Sequence, residues 1–262
     1  VAGPTATEFK AASHASMIES YRRIALYEPL RAVFEERGPL ALFTSAAPPR
    51  EAVVVFELAP IVPEVAVATL LEELAASLVI WFTQAIDGRS CQHELLIARG
   101  CQHHTMPIMT LPLARLQREP RPHGLTINEV RNDDEYELLT RVQIASLGEG
   151  YAIRATIKRA LGLGPGAEAH HLIGILADQP VAAATMLETG PLPTLWGIGT
   201  LDAWRGRGIG RAMTLAACEL ARLRAHSHIS LWATPLGIPV YRGIGFTTQG
   251  LGATYTRPAS TS

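Results

Sequence analysis

The chain has 262 residues, enough for one large domain or two small ones. With 48% hydrophobic and 18% charged residues it buries a full core, which excludes wholesale disorder. Its 23 Lys plus Arg against 24 Asp plus Glu leave a net charge of −1, which removes the electrostatic case for nucleic acid or an anionic membrane as the main partner. No apolar run approaches the roughly 18 residues of a membrane helix. Charges at Glu8, Lys10, Glu19, Arg22 and Arg23 stand where a secretory segment would be apolar. Three cysteines (Cys91, Cys101, Cys218) at these spacings make no disulfide framework, so a soluble, cytoplasmic protein is expected.

In chain order, the first half predicts a helix over residues 13–30, strands over 40–43 and 53–58, and a helix over 64–76. A buried strand over 78–82, a helix near 92–99 and an apolar tail over 106–113 follow. Composition then shifts at 115–124, where Pro120, Pro122 and Gly124 forbid helix continuation; this stretch is read as a linker.

The second half is better defined. A strand over 125–130 precedes a helix that Asn132, Asp133 or Asp134 can cap and that runs to Leu147, where Gly148 and Gly150 break it. A short helix over 152–161 and strands over 170–176, 181–187 and 194–201 come next. A glycine-rich loop leads into a long amphipathic helix reaching Arg224. A strand over 229–233, a short helix over 238–242 and an antiparallel pair over 246–251 and 253–256 close the chain. The fold class is α/β with a mixed sheet. The closing element order of the first half echoes that of the second, which suggests a diverged tandem repeat.

The loop Arg205-Gly206-Arg207-Gly208-Ile209-Gly210 lies between a predicted strand and a predicted helix. Glycine lets backbone approach a ligand closely, and successive N–H groups at a helix N-terminus cradle an anion. Arg205, Arg207 and Arg211 add positive charge, so a pyrophosphate suits the site; a plain glycine-rich connection is the alternative. A triphosphate P-loop is excluded by the missing Lys-Ser/Thr ending. A dinucleotide fingerprint is excluded by Arg205 at its first glycine position and by the absence of an acid about twenty residues on.

Residues 200–211, Thr-Leu-Asp-Ala-Trp-Arg-Gly-Arg-Gly-Ile-Gly-Arg, resemble the acyl-CoA loop of the GNAT N-acyltransferase superfamily, whose signature is Arg/Gln-x-x-Gly-x-Gly/Ala. Downstream, Tyr241-Arg242-Gly243-Ile244-Gly245-Phe246 is similar to the Tyr-x-x-x-Gly-Phe ending of that superfamily. Asp202 departs from it, standing where a proline is usual. The resemblance implies two GNAT-like domains, each a mixed, mostly antiparallel central sheet flanked by helices. Residues 121–262 would be catalytic and 1–120 degenerate, because residues 57–64 carry two acids and neither glycine nor arginine where the loop should be.

The same resemblance implies acetyl-CoA as cosubstrate and transfer of its acetyl group to a primary amine, a small molecule, by direct attack in a ternary complex. Arg205, Gly206, Arg207, Gly208, Ile209, Gly210 and Arg211 would hold the pyrophosphate. Ile198, Gly199 and Thr200 would pair with the pantetheine arm, and Thr234 would border the cofactor. An N–H on the same strand would polarise the thioester carbonyl. Gly197 and Gly199 around Ile198 suit a bulge there. Tyr241 is the candidate general acid for the leaving thiolate; packing against the cofactor arm is its other reading. Glu188, His170, His171 and Glu149 are candidates for the base or a water relay, and none is assigned. Cys91, His93, Cys101, His103 and His104 have spacing unlike a structural zinc site, so no metal is expected. Other functional readings are an acyl-CoA-binding regulatory pseudo-enzyme, an acyltransferase using a longer acyl-CoA, and a structural protein in which neither half works. The first half is a candidate wall of the acceptor cleft.

Overall fold

A computed structural model describes residues 4–28, 32–45, 52–75, 77–83, 88–148, 159–164 and 166–258. Helix α1 (Ala6–Tyr27) starts at a reciprocal cap: the Glu8 N–H donates to Thr5 Oγ1 at 3.3 Å, and the Thr5 N–H donates to the Glu8 carboxylate at 2.7 Å. That cap extends the helix to Ala6, ahead of the predicted residue 13. Strands β1 (Ala32–Arg37), β2 (Leu40–Ser45) and β3 (Ala52–Glu57) form an antiparallel meander. β1 lies beyond the predicted elements; it is an edge strand whose Glu35, Glu36 and Arg37 interrupt apolar alternation and protect the edge. Helix α2 (Glu64–Glu73) crosses to β4 (Leu78–Thr83), parallel to β3, and α3 (His93–Ala98) leads into β5 (Gln102–Pro112).

The second half repeats this order. β6 (Thr126–Glu129) is followed by α4 (Asp133–Leu147), capped by Asn132 Oδ1, which accepts the Glu135 N–H at 2.9 Å. Of the helix predicted over 152–161, only the 3-10 turn Arg159–Leu161 lies within the described residues. β7 (Ala169–Leu176), β8 (Gln179–Leu187) and β9 (Thr194–Thr200) form a second antiparallel meander. Helix α5 (Ile209–Leu223) crosses to β10 (His228–Trp232), parallel to β9, and α6 (Ile238–Ile244) precedes β11 (Thr247–Arg257). β11 is one strand, not the predicted antiparallel pair. Gly252 is no turn but a flat contact, where a Cβ would lie 2.4 Å from the Trp232 ring. A register shift between Thr248 and Gly250 absorbs Gln249 as a bulge.

The eleven strands form one sheet in the order β1-β2-β3-β4-β11-β5-β10-β9-β8-β7-β6. Only β3–β4 and β9–β10 are parallel. The final strands of the two halves have changed places. β11 pairs with β4, β5 pairs with β10, and the two meet antiparallel at the centre. Helices α1 and α4 cover one face, over Ile80, Phe82 and Ala183; α2, α3, α5 and α6 cover the other, over Val79, Trp81, Ala182 and Ala184. Adjacent strand residues thus feed opposite cores, as the two-residue period requires. No described helix is long and apolar enough to cross a membrane.

Candidate active site

β9 and β10 are paired only at Thr194–Ser230 and Leu195–Leu231; beyond Leu195 they diverge. A cleft of about 600 Å³ opens between the end of β9, the last turn of α4, the start of α5 and α6. Ile198, Gly199, Thr200, Arg205, Gly206, Gly208, Ile209, Gly210, Arg211, Thr234 and Tyr241 all border it. The structure thus brings together residues from three separate stretches of the sequence. It adds Ser146, Leu147, Leu236 and Gly237, which motif reasoning passes over.

The cradle is made of backbone. Gly206 and Gly208 both sit at φ +75°, a region closed to most side chains, and no side chain caps the first turn of α5. Its amides therefore face the cleft, with the helix dipole behind them. The arginines serve the protein itself. Arg205 donates to Thr200 O and Ser146 O, both at 3.1 Å, and pairs with Asp202 at 2.8 Å, joining α4 to the end of β9. Arg207 is absent from the lining; it lies over the Trp204 ring at 4.9 Å and donates to Ala203 O. Arg211 reaches Glu119 and Gly243 O.

β9 bulges inside the cleft. Thr185 faces Trp196 and Ala183 faces Gly199, so Gly197 and Ile198 together oppose Ala184 alone. Gly197 takes φ +57° to make this possible. Gln143, buried on α4, donates from Nε2 to Gly197 O at 3.1 Å and to Thr185 Oγ1 at 3.3 Å. A polar residue among the inward-facing Tyr136, Leu139 and Val142 was the sequence signal for it.

Tyr241 sits on α6 with its ring against Gly237, where an added Cβ would fall 2.5 Å from the ring. Removal from water, and secondarily the nearby Cys218, push its phenol up to about 12. It is a neutral O–H at any physiological pH.

Three of the base candidates fall elsewhere. His170 is level with Leu195, where β9 is still paired, and its two ring nitrogens meet Glu129 at 2.8 Å and Glu188 at 2.7 Å. Glu188 also binds Arg224 and His226. Burial alone would raise its carboxyl; the His226, His170 and Arg224 donors outweigh that and hold it below the usual carboxylate range. His171 is buried under α4, with Nδ1 3.0 Å from Thr185 Oγ1 and its ring edge-on to Tyr136. Glu149 lies outside the described residues.

The matching place in the first half is shut. β3 and β4 stay paired from Ala52–Leu78 to Phe56–Phe82, with no divergence. Glu57, at the end of β3, accepts from Trp81 Nε1 at 2.9 Å and from the Thr83 and Ser90 hydroxyls, stitching the two strands together. His93 and His103, set aside as zinc ligands, pack instead around Tyr255, whose hydroxyl lies 2.8 Å from His93 Nδ1.

No protein-family profile and no curated protein sequence matches the chain. Solved structures do. A GCN5-related N-acetyltransferase from Kribbella flavida is similar at 16% identity and TM-score 0.67, over 94% of this chain and 96% of its own. A functionally unknown conserved protein from Staphylococcus epidermidis matches at 15% identity and TM-score 0.63, over 87% and 95%. A GCN5-related N-acetyltransferase-like protein from Streptococcus suis matches at 16% identity and TM-score 0.57, over 92% and 100%. Both halves are covered by these similarities, and the chain has the fold of the GCN5-related N-acetyltransferases.

Proposed function

We propose that the chain is an N-acyltransferase that moves an acetyl group from acetyl-CoA to a primary amine, with the chemistry in residues 121–262. The observation that carries this reading is the contrast between the halves. β9 leaves β10 and opens onto an uncapped, glycine-flanked helix N-terminus, whereas β3 and β4 stay zipped behind Glu57. The cradle fits a pyrophosphate because Gly206 and Gly208 keep side chains off the first amides of α5, with open space where a Cβ would stand at Gly206.

Bound there, the thioester supplies the acyl carbon: a C–N bond to the amine forms, the C–S bond breaks, and the sulfur leaves with a proton. Gly206 to Gly210 hold the anionic end, and the unpaired edge of β9 offers its amides to the pantetheine arm. The bulge amide receives the developing oxyanion. Tyr241 gives its proton to the departing sulfur and regains one from the ammonium formed on the amine. Residues 1–120 act as a degenerate partner half. The free thiols at Cys91, Cys101 and Cys218 fit the reducing cytoplasm.

Titration calorimetry of acetyl-CoA and CoA into wild type and Gly208→Glu tests this, with folding checked by circular dichroism. Saturable binding that the variant loses supports the site, and CoA release in an amine screen then supports the reaction. No binding of either ligand by folded wild type overturns the acetyltransferase reading. Binding without CoA release across the screen favours an acyl-CoA sensor.

A further inference from the structure

Gln143 touches neither the loop nor Tyr241, yet it is 1% exposed and makes two hydrogen bonds through one nitrogen. Gly197 O only accepts, so the amide must present Nε2 to it, and this fixes the amide orientation. The second Nε2 hydrogen goes to Thr185 Oγ1, which also shares a hydrogen bond with His171 Nδ1 at 3.0 Å. Gln143 is thus anchored from α4, β8 and β7 before it reaches β9.

A peptide unit is planar and trans, so the C=O of Gly197 and the N–H of Ile198 point in opposite directions. Gln143 draws that carbonyl towards α4, which turns the Ile198 N–H away from α4. Neither Gly197 nor Ile198 has a register partner on β8 or β10. The bulge takes this unit out of the regular register, and glycine at φ +57° resists rotation little. Ile198 borders the cleft.

We propose that Gln143 is a positioning residue that aims the Ile198 N–H at the thioester oxygen. This rests on the acyltransferase reading above. Without the Gln143 donor the Gly197–Ile198 unit rotates, the oxyanion loses its fixed donor, and acyl-CoA still binds through the α5 cradle. Preorganisation is lost while affinity stays, which separates this role from a general packing role.

The test needs no acceptor amine. Acetyl-CoA carrying ¹³C at the thioester carbonyl is bound to wild type, Gln143→Met and Thr185→Val, and its carbonyl stretch is read by isotope-edited infrared difference spectroscopy. Methionine keeps the length and packing of glutamine without a donor. In wild type the band is expected below its free position. In Gln143→Met it returns towards the free position while the acetyl-CoA Kd changes by less than about threefold, and any measured kcat falls by about ten- to a hundredfold with KM for acetyl-CoA held. Thr185→Val, which loosens Gln143 without removing it, gives an intermediate band. It also serves as the reading if Gln143→Met does not fold. An unshifted band in wild type, or a wild-type band in both variants, overturns the proposal while leaving the cofactor site standing. Absence of acetyl-CoA binding by wild type overturns the acyltransferase reading, and this inference with it.

Discussion

Glu119 grips Arg211, a residue of the cleft lining, in a two-pronged ion pair, Nε to Oε2 at 2.7 Å and Nη2 to Oε1 at 2.6 Å. Arg211 is the cationic side chain that borders the cradle from the first turn of α5, and a linker carboxylate occupies it. The guanidinium holds the Glu119 carboxyl below its ordinary range. Glu119→Gln removes a negative charge that an incoming phosphate must face. Acyl-CoA affinity is expected to rise about three- to tenfold at low salt, with the gain shrinking as ionic strength grows. Calorimetry at two salt concentrations checks this, and unchanged affinity at both would exclude any electrostatic role for the clasp.

Tyr241→Phe keeps the ring against Gly237 and removes the proton donor. Its kcat is expected to fall about a hundredfold with KM for acetyl-CoA near wild type. Because the wild-type phenol is pushed up to about 12, its ionisation adds no alkaline limb to the rate profile at ordinary assay pH. A kcat within twofold of wild type would leave Tyr241 a packing role only.

Gly199 sits against α4 with no room to grow. A Cβ there would lie 2.0 Å from Ser146 Oγ and 3.0 Å from Ser146 Cβ. That hydroxyl cannot swing aside freely, since it donates to Val142 O at 2.7 Å. Gly199→Ala is expected to cost about 2 kcal/mol and to lower Tm by about 5 °C. Adding Ser146→Ala removes the closer clash and recovers part of the loss. A thermal melt of the single and double variants reads both.

Burial pushes the Glu57 carboxyl up, against the pull of its Ser90, Thr83 and Trp81 donors. A carboxyl raised in the folded state contributes stability that is present below its unfolded value of 4.5 and lost as pH rises through the folded value. Wild type should therefore lose stability relative to Glu57→Gln as pH rises above about 4.5, and level off once the folded carboxyl has ionised. Urea midpoints of the two proteins across that range measure it. A constant difference would mean that Glu57 titrates as if unfolded.

The loop was legible because its signal is local: glycines at fixed offsets between a strand and a helix already dictate positive φ and an uncapped N-terminus. The bulge was legible for the same reason, from Gly197 and Gly199. The partners of the arginines were not, since Glu119 and Ser146 are distant in sequence and an arginine shows no preference for ligand over protein carbonyl. Gly252 misled because a glycine that admits a tryptophan ring looks like one that turns the chain. Gln143 was visible only as a polar residue on an apolar stripe. Its partner Gly197 O is a backbone atom, and no sequence pattern marks a particular carbonyl as a partner.

The exchange of β5 and β11 bears on how the molecule is made. When β5 leaves the ribosome, the strand that should lie between it and β4 is still unsynthesised; 145 residues separate Pro112 from Arg257. At usual rates of translation that is roughly seven to thirty seconds in which two unpaired strand edges face solvent. The first half cannot close its own sheet in that interval, and the second cannot complete its own without β5 already in place beside β10. Each half therefore depends on a strand from the other to fill its sheet. The eleven-residue strand β11 bonds to both halves at once, so a truncation that removes it leaves a slot on the first half as well as a loss on the second.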